Sequence, residues 1–233
     1  MQKSWLSRNW LWVFVLPWSV FITLPLLAPL FMRLGWQAPA QLIYTIYSFV
    51  CHQLPERSFF LFGPKLMYSL PEIQAAFQQT NDPNLLRQFV GSPELGWKVA
   101  WSDRMFSMYS FMLPAALIWY PLRRKVGILP VWGFLFMLLP MAIDGTAHLI
   151  SDFAGLGEGF RDTNAWLGAL TNNVFSPSFY AGDAVGSFNS WMRLITGVFF
   201  AIGIIWLSFP YLAEGFEGPL SRSHLRPVEL PRL

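Results

Sequence analysis

The sequence predicts an all-α fold: a polytopic membrane protein with about four transmembrane helices, an additional interfacial or re-entrant helix, and structured extracytoplasmic loops. Only 12% of the 233 residues are charged and 54% are hydrophobic, whereas about 25% of residues are charged in a typical soluble domain. The mean hydropathy is +0.40. The apolar residues also form runs long enough to cross a hydrocarbon core of about 30 Å as helices.

Four apolar segments are predicted to span the membrane, at residues 10–32, 105–122, 126–150 and 191–212. The first has no charged side chain and is too long for a signal-peptide core of about 7–15 residues, so we expect it to be retained. The third is apolar except for Asp144 and His148, and the fourth except for Arg193. Gly197 and Ala201 form a small-xxx-small pair, which lets another helix approach closely.

Basic residues flank the predicted spans in three clusters that a four-span topology puts on one side. The clusters are Lys3 with Arg8, Arg123 to Lys125, and Arg222 with Arg226 and Arg232. Basic flanks accumulate in the cytoplasm, so we expect a multi-pass plasma-membrane protein with both termini cytoplasmic. Residues 33–104 and 151–190 are then extracytoplasmic, 1–214 form one membrane domain, and 215–233 form a cytoplasmic tail.

The expected partners follow from the same charge pattern. The basic residues flank apolar segments and do not form a stripe interleaved with aromatics, so no nucleic-acid partner is expected. The lipid bilayer is the expected environment, and a second membrane protein is a candidate partner. Cys51 is the single cysteine, which excludes an intrachain disulfide. A lone cysteine more often acts as a small buried apolar residue than as a ligand.

The two extracytoplasmic connections contain different structure. Residues 38–50 are apolar but too short to span, which predicts an interfacial or re-entrant helix ending at Cys51 and His52. Residues 152–189 are rich in Gly, Asn, Ser and Asp, which predicts an ordered but irregular loop.

Ionisable residues gather at the outer ends of the predicted spans. Asp144, His148 and Asp152 recur every four residues and therefore share one face of a helix. Other segments bring further polar residues to the same depth: Asn189 with Arg193, Asp103 with Arg104, and Cys51, His52, Glu56 and Arg57. A charge near the middle of a span costs about 2.5–3.5 kcal/mol, so these groups should face one another or water.

Two interpretations of this cluster remain open. In the functional one, Asp144 and His148 act as acid and base; His52, Asp144, His148 and Asp152 ligate a divalent metal ion; and Arg57, Arg104, Arg193 and Asn189 bind an anionic substrate. In the structural one, Asp144 and Arg193 form an ion pair that fixes which helices pack together.

Residues 51–59 read Cys-His-Gln-Leu-Pro-Glu-Arg-Ser-Phe, which resembles the opening signature, Cys-His-Gln-x-Pro-x-Arg-Ser-Phe, of a prokaryotic family of predicted integral membrane proteins of unknown function. Two further motifs of that family, Pro-x-x-x-Asp-Gly and Asn-x-x-x-Arg-x-x-Thr-Gly, are matched at 140–145 and 189–197. The resemblance covers roughly 51–203. It departs at 102–105, where the family has Cys-x-Arg-Cys and this chain has Ser-Asp-Arg-Met, so chemistry through those cysteines is not available here.

Three functions are compatible with the sequence. The first is metal-assisted chemistry at the outer leaflet on a lipid-linked or small anionic substrate. The second is an accessory or structural subunit of a larger membrane complex, in which the charged cluster is internally paired. The third is a small transporter, which needs a polar path through the bilayer, whereas the inner halves of the predicted spans lack ionisable residues.

Overall fold

The computed structural model describes residues 5–217 and confirms the predicted fold class. Four of its helices are long and apolar enough to cross a membrane, so the chain is an integral membrane protein of mainly helical structure. In chain order the elements are α1 (Trp5–Arg33), α2 (Gln37–Tyr47), a 3₁₀ turn (Pro55–Arg57), β1 (Ser58–Leu61), α3 (Leu70–Ala76), α4 (Pro83–Leu86), β2 (Gly91–Ser92), β3 (Gly96–Ser102), α5 (Asp103–Leu122), α6 (Val131–Asp152), α7 (Phe160–Thr163), α8 (Ala165–Leu170), α9 (Pro177–Tyr180) and α10 (Phe188–Glu217).

The membrane helices α1, α5, α6 and α10 differ from the predicted spans mainly at their ends. α1 begins at Trp5 and α10 ends at Glu217, beyond residues 10 and 212, because both helices continue through the polar and charged residues that bound the apolar runs. α6 begins at Val131 and not at 126. Pro130 is its N-cap in an extended conformation, and the residue before a proline is disfavoured in a helix.

One end of the bundle brings together the beginning of α1 and the ends of α5 and α10. The Trp10 indole N–H donates to Glu217 Oε1 at 2.7 Å, and the Arg123 guanidinium donates to Glu217 Oε2 at 3.2 Å. We call this the termini end, and the opposite end the site end. The basic residues Lys3, Arg222, Arg226 and Arg232, and residues 218–233 of the predicted tail, lie outside the described residues. Which end faces the cytoplasm stays a prediction.

The predicted interfacial helix corresponds to α2, which packs against α1 and β3. Its apolar face buries Ala40 and Ile43. The Tyr44 hydroxyl donates to the Lys98 carbonyl at 2.5 Å, and the Tyr47 hydroxyl donates to the Phe21 carbonyl at 2.6 Å. α2 is therefore fixed to the protein by packing and by two hydrogen bonds to the backbone of its neighbours.

A small antiparallel sheet lies between α2 and α5 in the chain, and the sequence did not predict it. Its strand order is β1-β3-β2, with Ser58 opposite Ser102 and Gly91 opposite Trp97. β3 is buried along most of its length, so it lacks the alternation of polar and apolar residues that identifies a half-exposed strand. It also runs into α5 without a turn, so its apolar residues merge with those of the span.

The connection between α6 and α10 holds the short helices α7, α8 and α9, joined by turns. Asn164 adopts a left-handed conformation (φ 41°) where α7 ends and α8 begins. Its buried side-chain N–H groups donate to the carbonyls of Arg161 and Tyr180 at 2.7 and 2.8 Å. The connection is ordered, as predicted. Hydrogen bonds from the Asn164 side chain to backbone carbonyls hold it in place.

Close packing of α10 against α5 positions the charged ends of both helices. A Cβ atom at Gly197 would lie 2.1 Å from Ser107 Oγ and 3.0 Å from Met108 N. A glycine is therefore needed here, in agreement with the small-residue pair in the sequence.

We predict that Gly197→Ala lowers the free energy of unfolding by about 1–3 kcal/mol, the usual cost of overpacking. Gly215→Ala is the matched control, because it lies in the same helix and a Cβ there meets nothing within 4 Å. The control should be neutral or stabilised by up to about 1 kcal/mol. Thermal unfolding in mild detergent measures both variants, and equal stability of the two would contradict the close α5–α10 packing.

Candidate functional site

Four arginines and four aspartates within residues 5–217 form a buried ion-pair network at the site end. Its members are Arg57, Arg104, Arg161, Arg193, Asp103, Asp144, Asp152 and Asp183. The most exposed side chain is that of Asp152, at 24%, followed by that of Arg104, at 15%. The network joins α5, α6 and α10 to the 3₁₀ turn and to the connection that contains α7.

The first branch of the network runs continuously through five residues. Arg57 binds the Asp152 carboxylate with two nitrogens, at 2.7 and 2.8 Å, and donates from Nε to Asp183 at 2.8 Å. Arg193 donates from Nη1 to the other Asp183 oxygen at 2.5 Å and from Nε to both Asp103 oxygens at 2.8 and 2.9 Å. Asp183 is thus held between two guanidinium groups.

The electrostatics of Asp183 follow from this position. Burial by itself would raise the pKa of Asp183, but Arg57 and Arg193 outweigh it and hold that pKa below its usual range. Asp183 lies in the loop before α10, outside the membrane helices. It is therefore a carboxylate that links the 3₁₀ turn to α10.

The second branch is centred on Asp144 in α6. Arg104 donates to one Asp144 oxygen at 2.6 Å, and Arg161 donates to the other at 2.7 Å. Arg161 Nη2 also lies 3.2 Å from His148 Nε2. An arginine only donates, so His148 accepts through Nε2 and carries its proton on Nδ1. That Nδ1 is buried without a hydrogen-bond partner among the described residues.

The charges of the network balance. The first branch has two arginines and three aspartates, and the second has two arginines and one aspartate. Each branch alone would leave a net charge of about one unit, and the two cancel. Since isolated buried charges cost several kcal/mol, neutrality of the whole is a condition for burying it.

The structure brings most of the sequence-predicted site residues together but pairs them differently. Arg57, Arg104, Arg193, Asp144, His148, Asp152 and Asn189 all belong to the network or contact it. The predicted pairing of Asp144 with Arg193 is wrong. Asp144 is paired with Arg104 and Arg161, while Arg193 is paired with Asp103 and Asp183.

The predicted metal ligands His52, Asp144, His148 and Asp152 do not come together as a ligand set. In residues 5–217 no group of three or more His, Cys, Asp or Glu side chains is placed to hold a metal ion. His52 is exposed, and its Nδ1 accepts from the Leu54 N–H. Asp144 and Asp152 are paired with guanidinium groups, which compete with a metal cation for the same oxygens.

Sequence reasoning missed Arg161, Asp183 and the buried Lys98. The first two lie in a connection without helical periodicity, so no spacing rule relates them to α6 or α10. Lys98 lies in the unpredicted strand β3, where its Nζ donates to the carbonyls of Gln53 and Arg87 at 2.8 and 2.9 Å. Burial lowers the pKa of Lys98 to about 7. The sequence signal that could have identified Lys98 is its position as a charged residue within a mainly apolar segment too short to span the membrane.

A pocket of about 390 Å³ lies beside the first branch, between the 3₁₀ turn, α3 and the connection after α6. Its polar lining consists of Glu56, Arg57, Ser69, Gln74, Asn81, Asp162 and Asp183. Arg57 and Asp183 belong to both the pocket and the network. The pocket is therefore held in shape by the same ion pairs that join the helices.

Glu56 is the unusual member of the pocket lining. It is 3% exposed, and both of its carboxylate oxygens are buried without a hydrogen-bond partner in the described part of the chain. Burial raises the pKa of Glu56 from 4.5 to about 7, against the opposing effect of Arg57. A pKa near 7 makes Glu56 the carboxyl of the pocket whose charge changes near neutral pH.

Ser102, at the end of β3, contacts Cys51. The two side chains are 3.5 Å apart (Sγ to Oγ), and the Ser102 N–H donates to the Cys51 sulfur at 3.3 Å. Cys51 is buried, as the sequence predicts for a lone cysteine.

Comparisons with known proteins give one relative and no activity. Over 176 residues the chain is 28% identical to an uncharacterized protein of Methanocaldococcus jannaschii, covering 72% of this chain and 87% of that protein. No protein-family model and no solved structure matches the chain.

We predict that Arg193→Met lowers the free energy of unfolding by about 3–5 kcal/mol, because it leaves Asp103 buried without its cationic partner. Arg124→Met is the control: Arg124 is exposed in the link between α5 and α6, and its replacement should change stability by less than about 0.5 kcal/mol. Adding Asp103→Asn to Arg193→Met should restore part of the loss. Detergent unfolding of the single and double variants measures this, and additive losses would contradict the pairing.

We predict that Glu56→Gln makes the protein more stable than wild type at about pH 8 and equally stable at about pH 5. Because the folded-state pKa (about 7) exceeds the ordinary 4.5, the folded protein binds the proton more tightly, and stability falls as pH rises through this window. The gain above pH 7 should approach about 3 kcal/mol.

The control for this prediction is Glu94→Gln, an exposed glutamate in the β2–β3 turn. Lys98 titrates in all three proteins and its charge interacts with Glu56, so the difference between variant and wild type at each pH measures the titration of Glu56 together with its coupling to Lys98. A stability difference that does not change between about pH 5 and 8 would contradict a buried, titrating Glu56.

Proposed function

We propose that this integral membrane protein binds a small polar ligand in the pocket at its site end, with Glu56 as the ionisable group that contacts the ligand. One observation carries this proposal. Glu56 lines the pocket while both of its oxygens are buried without a partner among the described residues.

A buried carboxyl without a hydrogen-bond partner destabilises the folded protein, although the charged residues near Glu56 all have partners. Leaving a buried polar group unsatisfied costs about 1–3 kcal/mol, and more when the group is charged. The eight charged residues of the neighbouring network are all paired. A residue with only a structural role would be expected to follow the same rule, so the departure at Glu56 supports a binding role.

In this proposal the ion-pair network is the support of the binding site. Arg57 is bound by Asp152 from α6 and by Asp183 from the loop before α10. Because Arg57 follows Glu56 directly, these bonds fix the 3₁₀ turn and with it the position of the Glu56 side chain. A binding site is more effective when surrounding residues hold the ligand-contacting side chain in a fixed position.

We also infer the location of the site from the basic flanks of the helices. Arg8 and Arg123 lie in elements that meet at the termini end, and basic flanks favour the cytoplasm. The site end then faces the extracytoplasmic side of the plasma membrane. The roles of Asp144 and His148 as acid and base, and of Arg104, Arg193 and Asn189 in substrate binding, stay predictions.

A second candidate function, an accessory subunit of a larger membrane complex, is favoured by the internal pairing of the network. For an accessory subunit we expect the charged residues to be paired within the protein and an apolar surface to be available for a partner protein. α6 exposes Trp132 (73%) and Phe136 (72%), although lipid covers such a face as well as a protein does. A stoichiometric partner after purification in mild detergent would favour this candidate.

Transport ranks last, since an apolar core that includes Val15, Met112 and Phe209 fills the bundle away from the site end.

We predict that small polar compounds raise the Tm of the wild-type protein through this pocket. A ligand at about 100 times its Kd stabilises by about 2.7 kcal/mol. A panel containing cations, anions and neutral compounds is screened by thermal unfolding in mild detergent. Gln74→Trp fills the pocket and should abolish the shifts, because Gln74 lines it.

Gln78→Trp is the matched control for the panel. Gln78 is exposed just beyond α3 and is not part of the pocket lining, so its replacement should leave the shifts intact. If no compound stabilises the wild type, or if the shifts persist in Gln74→Trp, the pocket is not the binding site and the proposed function is wrong.

A further inference from the structure

The pocket has more free hydrogen-bond acceptors than free donors on its side chains. The Ser69 hydroxyl donates to Glu72, and the Gln74 amide donates both of its N–H groups, to the Thr80 carbonyl and to Asn81. Three of the five N–H groups of Arg57 go to Asp152 and Asp183. The donors that would bind an anion are therefore largely occupied within the protein.

The free acceptors lie on the other members of the lining. Both oxygens of Glu56 lack a partner, and Asp162 uses one oxygen to accept from the Gly159 N–H while its other oxygen has no hydrogen bond within residues 5–217. The Gln74 side-chain carbonyl adds a further free acceptor. A ligand that satisfies this wall must present N–H or O–H groups.

The charges of the lining point in the same direction. Arg57 and Asp183 compensate each other and are balanced further by Asp152 and Arg193. Glu56 and Asp162 remain as carboxyls without an ion-pair partner among the described residues. The pocket is therefore an acidic cavity whose one arginine is already neutralised.

We propose that the ligand is a compact organic cation, carrying an ammonium or guanidinium group that pairs with Glu56. This rests on the proposed function and replaces the anionic substrate expected from the sequence. Leu70, Pro71 and Leu156 also line the pocket and provide an apolar surface for the hydrocarbon part of such a cation. A bare metal ion fits less well, because the lining does not gather three anionic or imidazole ligands in the described chain.

Binding should depend on pH through Glu56, whose ionised form pairs with the cation. The charged groups that act on Glu56 are Arg57 beside it, Asp183 from the loop before α10 and Lys98 from β3, with Asp162 across the pocket. The pKa of Glu56 is about 7, so a proton competes with the ligand below that pH. The affinity should fall by about tenfold between about pH 8 and pH 6.

The experiment measures the Kd of n-butylammonium, n-butyrate and 1-butanol by calorimetry, using the full chain in mild detergent. These probes have similar size and differ in charge. Wild type should bind butylammonium at least about tenfold more tightly than either other probe, a factor that corresponds to about 1.4 kcal/mol. Glu56→Gln should lose at least about tenfold of that affinity, and Glu94→Gln should lose none.

Three results would overturn the inference: tighter binding of butyrate or butanol, equal binding of butylammonium by Glu56→Gln, or absence of butylammonium binding. The first leaves the ligand-binding pocket standing and reverses only the charge of its ligand. Absence of butylammonium binding extends to the proposed function only if the wider compound panel also leaves the wild-type Tm unchanged.

Discussion

The requirement that charge buried among membrane helices be neutralised governs the site end of this protein. Asp183 shows it most directly, because it accepts from both Arg57 and Arg193 and thereby joins the 3₁₀ turn to α10. Arg57 also joins the turn to α6 through Asp152, and Arg193 joins α10 to α5 through Asp103. Each pair would be expensive to separate, so the network fixes both the helix ends and the connections between them. The pocket takes its shape from this arrangement.

Sequence reasoning succeeded where a repeating geometry relates residues to one another. Apolar runs predicted the four membrane helices, and the four-residue spacing put Asp144 and His148 on the face that turns inward. It did not extend to Arg161 and Asp183, since a side chain on an irregular connection is positioned by tertiary contacts and not by its spacing. The mistaken pairing of Asp144 with Arg193 has this cause. Asp144 pairs with Arg161 and Arg193 pairs with Asp183, and both partners lie in the connection between α6 and α10, where helical periodicity cannot locate them.

The strand β3 and the unpaired state of the Glu56 carboxyl were not predicted for a different reason, namely burial on all sides. β3 is covered so completely that its sequence resembles the beginning of a span. Glu56 lies beside Arg57, which suggests a local pair, yet the Arg57 guanidinium turns to Asp152 and Asp183 and leaves the neighbouring carboxyl alone. The contrast between eight paired charges and an unpaired acid beside a pocket is the reason for proposing a binding site over a purely structural network.

Infrared difference spectroscopy of the membrane-embedded protein tests the central claim most directly, because the carbonyl band of a protonated carboxyl is separate from that of a carboxylate. We expect a protonated-carboxyl band that titrates with a midpoint near the Glu56 pKa of about 7, disappears in Glu56→Gln and loses intensity when butylammonium is added at the midpoint. A band that persists in Glu56→Gln, or that butylammonium leaves unchanged, would contradict the assignment of Glu56 as the proton-exchanging group of a cation-binding pocket.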